Sequence, residues 1–190
     1  MIRIFTLLLS ALLLYTSCKK EDPAPTQLLK NTSLEKYAGS AQPWLNAGYG
    51  RGFLADWSAE DYMSPSHSLK IVRTPVSDPL NTEFWYWYQT VWEDIPVGKE
   101  LTLSVKIKGV DLYFDGLSIA IRGDNDTSEV QFVTTQGIET ISGNFDWTTY
   151  SVDFPPVQSD VVTLWVFLIM LPNTVGIAYF DDIELRVKED

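Results

Sequence analysis

The chain has 190 residues, 45% of them hydrophobic, so it is long and apolar enough to form one domain with a substantial core. Its formal net charge is -11, from 14 basic and 25 acidic side chains, which argues against binding the phosphate backbone of nucleic acids. The sequence contains one cysteine, Cys18, and therefore cannot form an internal disulfide.

The N-terminus has the order of a secretory signal. An apolar run over 4–15 is shorter than the roughly 20 residues that span a bilayer, and small residues directly precede Cys18. This order resembles the signal of bacterial lipoproteins, whose cysteine is acylated and becomes the new N-terminus. The resemblance implies a signal peptide over 1–17, palmitate on Cys18 and a lipidated tether over 18–27. A conventional secreted protein with a free thiol is the alternative.

A lysine followed by two acidic residues occurs just after the cysteine, at 20–22. This arrangement resembles the surface-export signal of Bacteroidetes lipoproteins. It implies an outer-membrane protein that is lipid-anchored and exposed at the cell surface. A solvated charge cluster at the start of the tether is the alternative.

The rest of the chain shows no convincing helical period and roughly ten short strand-like segments at regular spacing. The clearest alternation of apolar and polar residues runs over 101–108. The predicted strands are 31–35, 52–57, 66–73, 84–92, 101–108, 117–122, 130–134, 147–154, 161–171 and 176–187. This pattern predicts one all-β domain over 28–190, a two-sheet antiparallel β-sandwich of the jelly-roll type.

The segment 84–92 is the most unusual of these strands, because six of its nine residues are aromatic. Neighbouring side chains of a strand point to opposite faces, so Trp85, Trp87 and Gln89 share one face. Phe84, Tyr86 and Tyr88 share the other, and one core can take only one of the two rows. The amide of Gln89 suits sugar hydroxyls, so the tryptophan row is predicted to be open to a ligand. The opposite assignment, with the tyrosine row outside, remains an alternative.

Two further residues are candidates for the same ligand site. Trp165 alternates with the apolar residues Leu164 and Val166, and it would line the groove if those residues form the core; burial under a loop is the alternative. Arg122, at the end of its strand, can hydrogen-bond a hydroxyl or a carboxylate, or can be a surface charge.

Several segments, in order, resemble one family. Asn-Thr-Ser-Leu-Glu at 31–35 resembles its Asn-Gly-Ser-Phe-Glu opening, and Ser-His-Ser-Leu-Lys-Ile at 66–71 resembles its Gly-Ser-Tyr-Ser-Leu-Lys strand. The run 89–108 is similar to its central Gln-x-Val, Gly-Lys and strand segments, and 179–185 to its terminal Asp-Asp-Val-x-Leu. The family is the galactose-binding-like jelly roll, which includes carbohydrate-binding modules of families 4, 9 and 22.

The resemblance implies a module that binds polysaccharide or oligosaccharide. It also implies a structural calcium ion that joins the first and last strands, with Glu35 and Asp181 at the ligand positions. Carboxylates are ligands that calcium prefers, but both side chains can equally be ordinary residues at strand ends.

The leading hypothesis is therefore a non-catalytic carbohydrate-binding surface lipoprotein. The alternatives are a protein-interaction or structural subunit of an outer-membrane complex and, below it, a glycan-cleaving enzyme. Spacing alone shows no carboxylate pair for glycan hydrolysis. Ser66 and His67 are adjacent, so their side chains are expected to point apart rather than to form a relay.

Overall fold

The structure, a computed structural model, describes residues 27–77, 80 and 82–188. Cys18 and the predicted signal peptide lie outside the described residues. The described part contains nine β-strands and no helix, so it holds no helix able to cross a membrane. The strands are β1 (Leu45–Tyr49), β2 (Phe53–Ser58), β3 (Ser68–Arg73), β4 (Phe84–Val91), β5 (Leu101–Asp124), β6 (Glu129–Thr134), β7 (Ile141–Phe154), β8 (Thr163–Met170) and β9 (Val175–Val187).

All strand pairs are antiparallel, and they form two layers that share β5. One layer has the order β1-β4-β8-β5-β6, with 117–124 of β5 paired to β8. The other has the order β2-β3-β9-β5-β7, with 101–113 of β5 paired to β9. The predicted all-β jelly-roll sandwich is therefore confirmed.

The strand β5 passes from one layer to the other through a bend at 111–116. Asp111 and Phe114 have left-handed backbone conformations, with φ of 50° and 73°, and Gly116 has φ of 79°. A Cβ atom at Gly116 would overlap the carbonyl oxygen of Ile141, so this position requires glycine. The segments 101–108 and 117–122, which the sequence predicts as two strands, are thus parts of one strand.

The core lies between the layers and is built from alternate residues of the central strands. Leu103, Val105 and Ile107 from one layer face Val166 and Leu168 from the other, and all five are fully buried. Burial of this kind supplies most of the favourable free energy of folding, at about 25 cal/mol per Å² of apolar surface. The alternation predicted for 101–108 is the alternation observed.

The chain differs from the prediction near its start. The segment 31–35 is a turn instead of a strand, with left-handed φ values of 52° at Asn31 and 65° at Leu34. The Asn31 side chain stabilises this turn, because it accepts a hydrogen bond from Lys36 N at 2.8 Å and donates to the Gln42 carbonyl at 2.7 Å. Strand β1 lies where the sequence predicts a loop. Gln27, the last residue of the predicted tether, forms an isolated β-bridge with Arg186.

Candidate functional site

Strand β4 places its tryptophan row on the core face, contrary to the prediction. Trp87 is 4% exposed and Gln89 is 3% exposed. Trp85 is partly buried and packs against the core, with its ring 5.9 Å from the ring of Phe53. Trp85, Trp87 and Gln89 therefore do not form an open ligand surface.

The polar side-chain atoms of Trp87 and Gln89 are satisfied by the protein's own backbone. Gln89 accepts a hydrogen bond from Lys30 N at 2.7 Å and donates one to Lys30 O at 2.9 Å. Trp87 Nε1 donates to the carbonyl oxygen of Lys70 in the other layer at 3.1 Å. The Gln89 amide bonds to both the N–H and the C=O of Lys30, as the backbone of a neighbouring strand would. Its polar atoms are therefore satisfied, and the side chain can be buried.

The opposite row of β4 forms an outward surface together with β8. Cross-strand partners share a face, and Tyr88 pairs with Phe167 in the sheet register. Leu164, Val166 and Leu168 are fully buried, so Trp165 and Phe167 point outward, as the sequence indicates for Trp165. We call this surface the aromatic face; it consists of Phe84, Tyr86, Tyr88, Trp165 and Phe167.

Neighbouring rings of the aromatic face are in contact along its whole length. Ring centroids are 5.8 Å apart for Phe84 and Tyr86, 5.7 Å for Tyr86 and Tyr88, and 5.7 Å for Tyr88 and Trp165. Trp165 and Phe167 are parallel within 2°, at 6.0 Å. Such spacings are typical of favourable aromatic pairs, so the rings hold one another in a fixed arrangement.

Arg122 lies beside the aromatic face on the adjacent strand β5. Its guanidinium carbon is 5.1 Å from the centre of the Trp165 ring and 5.4 Å from that of Phe167. Its Nη2 donates to Asp124 Oδ2 at 2.9 Å. Across the next pair of strands Arg122 is opposite Phe132, which is 48% exposed. The structure thus places Arg122 and Trp165 together, as predicted, and separates them from Trp87 and Gln89.

The arrangement offers flat apolar plates next to a hydrogen-bonding pair of opposite charges. Indole and phenol rings provide apolar area with a polar edge, which suits the apolar C–H face of a sugar ring. Guanidinium and carboxylate supply donors and acceptors for hydroxyl groups. The surface is therefore chemically suited to a polyhydroxylated ligand that has both apolar and polar faces.

Glu35 and Asp181, the predicted calcium ligands, both hold the loop that connects β2 and β3. Asp181 is fully buried and accepts hydrogen bonds from Met63 N at 2.8 Å and Ser64 N at 2.9 Å. Glu35 accepts hydrogen bonds from Ser66 N and, at 2.7 Å, from His67 N. Their oxygens therefore face N–H donors, which a cation would not replace without moving the loop.

The described residues contain no group of three or more His, Cys, Asp or Glu placed to hold a metal ion. Burial raises the pKa of Asp181 to about 6, against the lowering by its backbone hydrogen bonds. For Glu35, burial raises the pKa, but the hydrogen bonds from Ser66 and His67 outweigh this effect and the pKa is lowered. The calcium ion stays a prediction.

The side chain of His67, the single histidine, is in hydrogen-bond contact with its sequence neighbour Ser66. His67 Nδ1 lies 2.9 Å from Ser66 Oγ and 3.5 Å from Glu35 Oε2, so the expectation that the two side chains point apart is wrong. A serine relay requires the hydroxyl and the acid on opposite imidazole nitrogens, whereas here both face Nδ1. The imidazole also stacks on Trp57 at 3.6 Å. This cluster is arranged as a support for the loop.

Comparison with known proteins identifies the fold. The sequence matches no protein-family model and no curated protein. Among solved structures it is similar to the CBM22-1 xylan-binding domain of Paenibacillus barcinonensis Xyn10C, with 14% identity and a TM-score of 0.57, covering 89% of this chain and 99% of that one. A family 61 carbohydrate-binding module in complex with β-1,4-galactotriose has 15% identity and a TM-score of 0.54, with 86% and 99% covered.

Similar structures also include enzymes. A cyclase from Fischerella sp. TAU in complex with 4-(1H-indol-3-yl)butan-2-one has 13% identity and a TM-score of 0.61, covering 86% of this chain and 98% of the cyclase. The chain spans 21% of the enzymatically active domain of bacteriophage CBA120 tailspike protein 4, at 15% identity and a TM-score of 0.59. The fold is that of jelly-roll carbohydrate-binding modules, and other proteins share it.

The sequence did not assign five members of the site, which are Phe84, Tyr86, Tyr88, Phe167 and Asp124. On β8 the alternation of residues shows which side faces the core, because Leu164, Val166 and Leu168 are all aliphatic. On β4 the alternation does not show this, because both rows of side chains are aromatic. Only the register of β4 against β8 shows which row continues Trp165.

Proposed function

We propose that the protein binds glycan without cleaving it, through the aromatic face. The observation that supports this proposal is the continuous set of outward rings on β4 and β8 with Arg122 beside it. Solved structures of the same fold include a xylan-binding domain and a module in complex with β-1,4-galactotriose. A sugar ring that stacks on Trp165 would place its hydroxyl groups near the Arg122–Asp124 pair.

Isothermal titration of the full chain against a panel of oligosaccharides tests this proposal. Trp165→Ala should weaken binding at least about tenfold, which is the equivalent of ~1.4 kcal/mol for a lost stacking contact. Trp147→Ala is the matched control, because Trp147 is a partly buried tryptophan on β7 in the other layer, hydrogen-bonded to Asp61. The proposal fails if no glycan binds, or if both variants bind as the wild type does.

A protein partner docked on the aromatic face is the second candidate, because exposed aromatic clusters are also enriched at protein interfaces. Pull-down from native envelopes with and without excess glycan separates the two. A stoichiometric partner that stays bound in excess glycan favours the interaction role.

The proposal that the protein does not cleave glycan is tested separately. Polysaccharide is incubated with the protein, and new reducing ends or unsaturated products would show cleavage.

We also propose that acylation of Cys18, with more than one acyl chain at this N-terminus, anchors the protein to the outer membrane. The support is the order of the signal sequence, which places the single cysteine directly after small residues. One acyl chain binds membranes only marginally, and so stable anchoring needs more than one chain. Cys18→Ser should abolish palmitate labelling, and labelling that persists would refute the anchor. Protease accessibility on intact cells then tests surface exposure.

A further inference from the structure

Arg122 and Asp124 form an ion pair at one end of the aromatic face. Both residues belong to β5, two positions apart, so their side chains point to the same side of the sheet. The Arg122 side chain is 30% exposed and the Asp124 side chain is 19% exposed. The guanidinium carbon of Arg122 lies 5.1 Å from the centre of the Trp165 ring, so a ligand at this end of the aromatic face meets this pair.

The pair accounts for the charge of the central part of this surface. The outward positions of β4, of β8 and of 117–124 in β5, all described by the structure, carry one cation and one carboxylate. The strand β6 adds Glu129 opposite Asp124, and the turn before β8 adds Asp160, which accepts a hydrogen bond from Asn125. The positive charge of Arg122 is therefore more than neutralised at this end.

Three polar atoms of the cluster have no hydrogen-bond partner among the residues that the structure describes. They are Arg122 Nε, Asp124 Oδ1 and Trp165 Nε1, two donors and one acceptor. These atoms are shielded from solvent, so a ligand reaches them only if the surrounding side chains shift. A hydroxyl group both donates and accepts, and it can satisfy either kind of atom, whereas a carboxylate can accept only from the donors.

We propose that Asp124 makes the aromatic face selective for uncharged sugars, by occupying and neutralising Arg122 and repelling ligand carboxylates. This inference rests on the proposed glycan binding, and it assigns Asp124 as a specificity-determining residue. An arginine stacked on an aromatic ring is well placed to bind a carboxylate in a bidentate manner. With Asp124 already bonded to Nη2, a second carboxylate would share one guanidinium with the first, at short range and in a partly desolvated site.

The test uses pairs of glycans that differ only in charge. β-1,4-mannan, β-1,4-glucan and β-1,4-galactan oligosaccharides are each compared with the same oligosaccharide oxidised to the C6 carboxylate. Titration of the full-length wild type should give affinity for a neutral member at least about tenfold above that of its oxidised partner, a difference of ~1.4 kcal/mol. Asp124→Asn keeps an oxygen that accepts a hydrogen bond from Arg122 but removes the negative charge. It should strengthen binding of the oxidised glycan, so that the ratio of neutral to oxidised affinity falls severalfold.

Asp56→Asn is the matched control, because it makes the same change in net charge on an exposed side chain of β2, in the other layer. It should leave the ratio unchanged. The inference is overturned if the wild type prefers the oxidised glycan, if Asp124→Asn leaves the ratio as it was, or if both variants change it equally. Those outcomes leave glycan binding intact, whereas failure of every sugar in the wider panel would remove the proposed function itself.

Discussion

Ser64 donates two hydrogen bonds to Asp181, from its backbone N–H to Oδ2 at 2.9 Å and from its hydroxyl to Oδ1 at 3.1 Å. Asp182 N adds a further hydrogen bond to Oδ1 at 2.7 Å. The carboxyl group is fully buried at the end of the core, and its partners come from the loop between β2 and β3. Asp181 therefore fixes this loop to β9, 117 residues away in sequence.

The raised pKa of Asp181 gives this contact a defined pH dependence. Burial raises the pKa from 3.8 to about 6, so the folded protein binds this proton more tightly than the unfolded chain does. The contribution of Asp181 to the free energy of unfolding is therefore complete below the unfolded pKa and is lost as the pH rises through about 6. In chelator, the destabilisation caused by Asp181→Asn should be about 2 kcal/mol larger near pH ~4 than near pH ~7.5.

Urea unfolding of the wild type and the variant at both pH values measures this difference. Asp153→Asn is the control, and its effect on stability should be nearly the same at both pH values. The hydrogen bond from Lys188 lowers the pKa of Asp153, so its contribution is present above the ordinary value of 3.8 and is lost only as the pH falls further. An effect of Asp181→Asn that grows with rising pH would contradict the assignment.

The calcium prediction can be tested on the same protein. A ligand that binds only the folded state stabilises it in proportion to the logarithm of its concentration. If calcium joins Glu35 and Asp181, chelator should lower the melting temperature by a few degrees, and added calcium should restore it. Magnesium is the control, because it demands stricter octahedral geometry. An unchanged melt would leave the hydrogen bonds to 63–67 as the role of these carboxylates.

The bridge between Gln89 and Lys30 predicts a local effect. Gln89→Ala removes the acceptor of Lys30 N, so the amides of 27–31 should exchange with deuterium faster while the rest of the sheet keeps its protection. Gln131→Ala is a matched control, since buried Gln131 bonds Pro156 O and Gln158 N in the same manner. It should loosen 156–158 and leave 27–31 unchanged. Uniformly faster exchange in both variants would show a global effect instead.

The ion pair of Arg73 and Glu83 is buried, with the two residues 1% and 2% exposed. Arg73 also lies over the Phe53 ring, 4.4 Å from its centre. Glu83→Gln leaves the guanidinium without its countercharge and should cost about 3–5 kcal/mol of stability. The double variant Arg73→Met with Glu83→Gln should cost less than this single change.

Denaturant midpoints give both values in the same experiment. The exposed pair of Lys30 and Glu93 provides the control, because Glu93→Gln should change stability by less than about 1 kcal/mol. A Glu83→Gln variant as stable as the wild type would mean that the pair contributes little to the fold.

Much of the fold follows from alternation in the sequence, because one row of each strand is clearly apolar. Leu103, Val105 and Ile107 are recognisable as core residues from their lysine and serine neighbours. The turn at 31–35 could not be predicted from alternation. The left-handed φ values at Asn31 and Leu34 depend on hydrogen bonds made to residues farther along the chain. Strand β1 could not be predicted from alternation either, because its pairing with β4 is visible only in three dimensions.

The same reasoning from alternation predicts only part of the candidate site. Trp165 and Arg122 lie on strands with an unambiguous core face, and their outward position was predictable. On β4 the choice depended on whether Gln89 tolerates burial, which depends on Lys30, 59 positions away in sequence. Local alternation contains no information on such a partner. The open row of β4 was therefore assigned to the tryptophans, whereas the structure places the tyrosine row on the outward face.

The shared strand β5 has a consequence for how the protein unfolds. Because 101–113 and 117–124 belong to one continuous strand, the two layers are joined through this strand as well as through the core between them. We expect a single cooperative transition, with the amides of 117–121, the fully buried part of β5, exchanging only through global opening. Arg122 and Asp124 follow directly after this part of the chain. The charge pattern at this end of the sheet would persist until the whole domain unfolds.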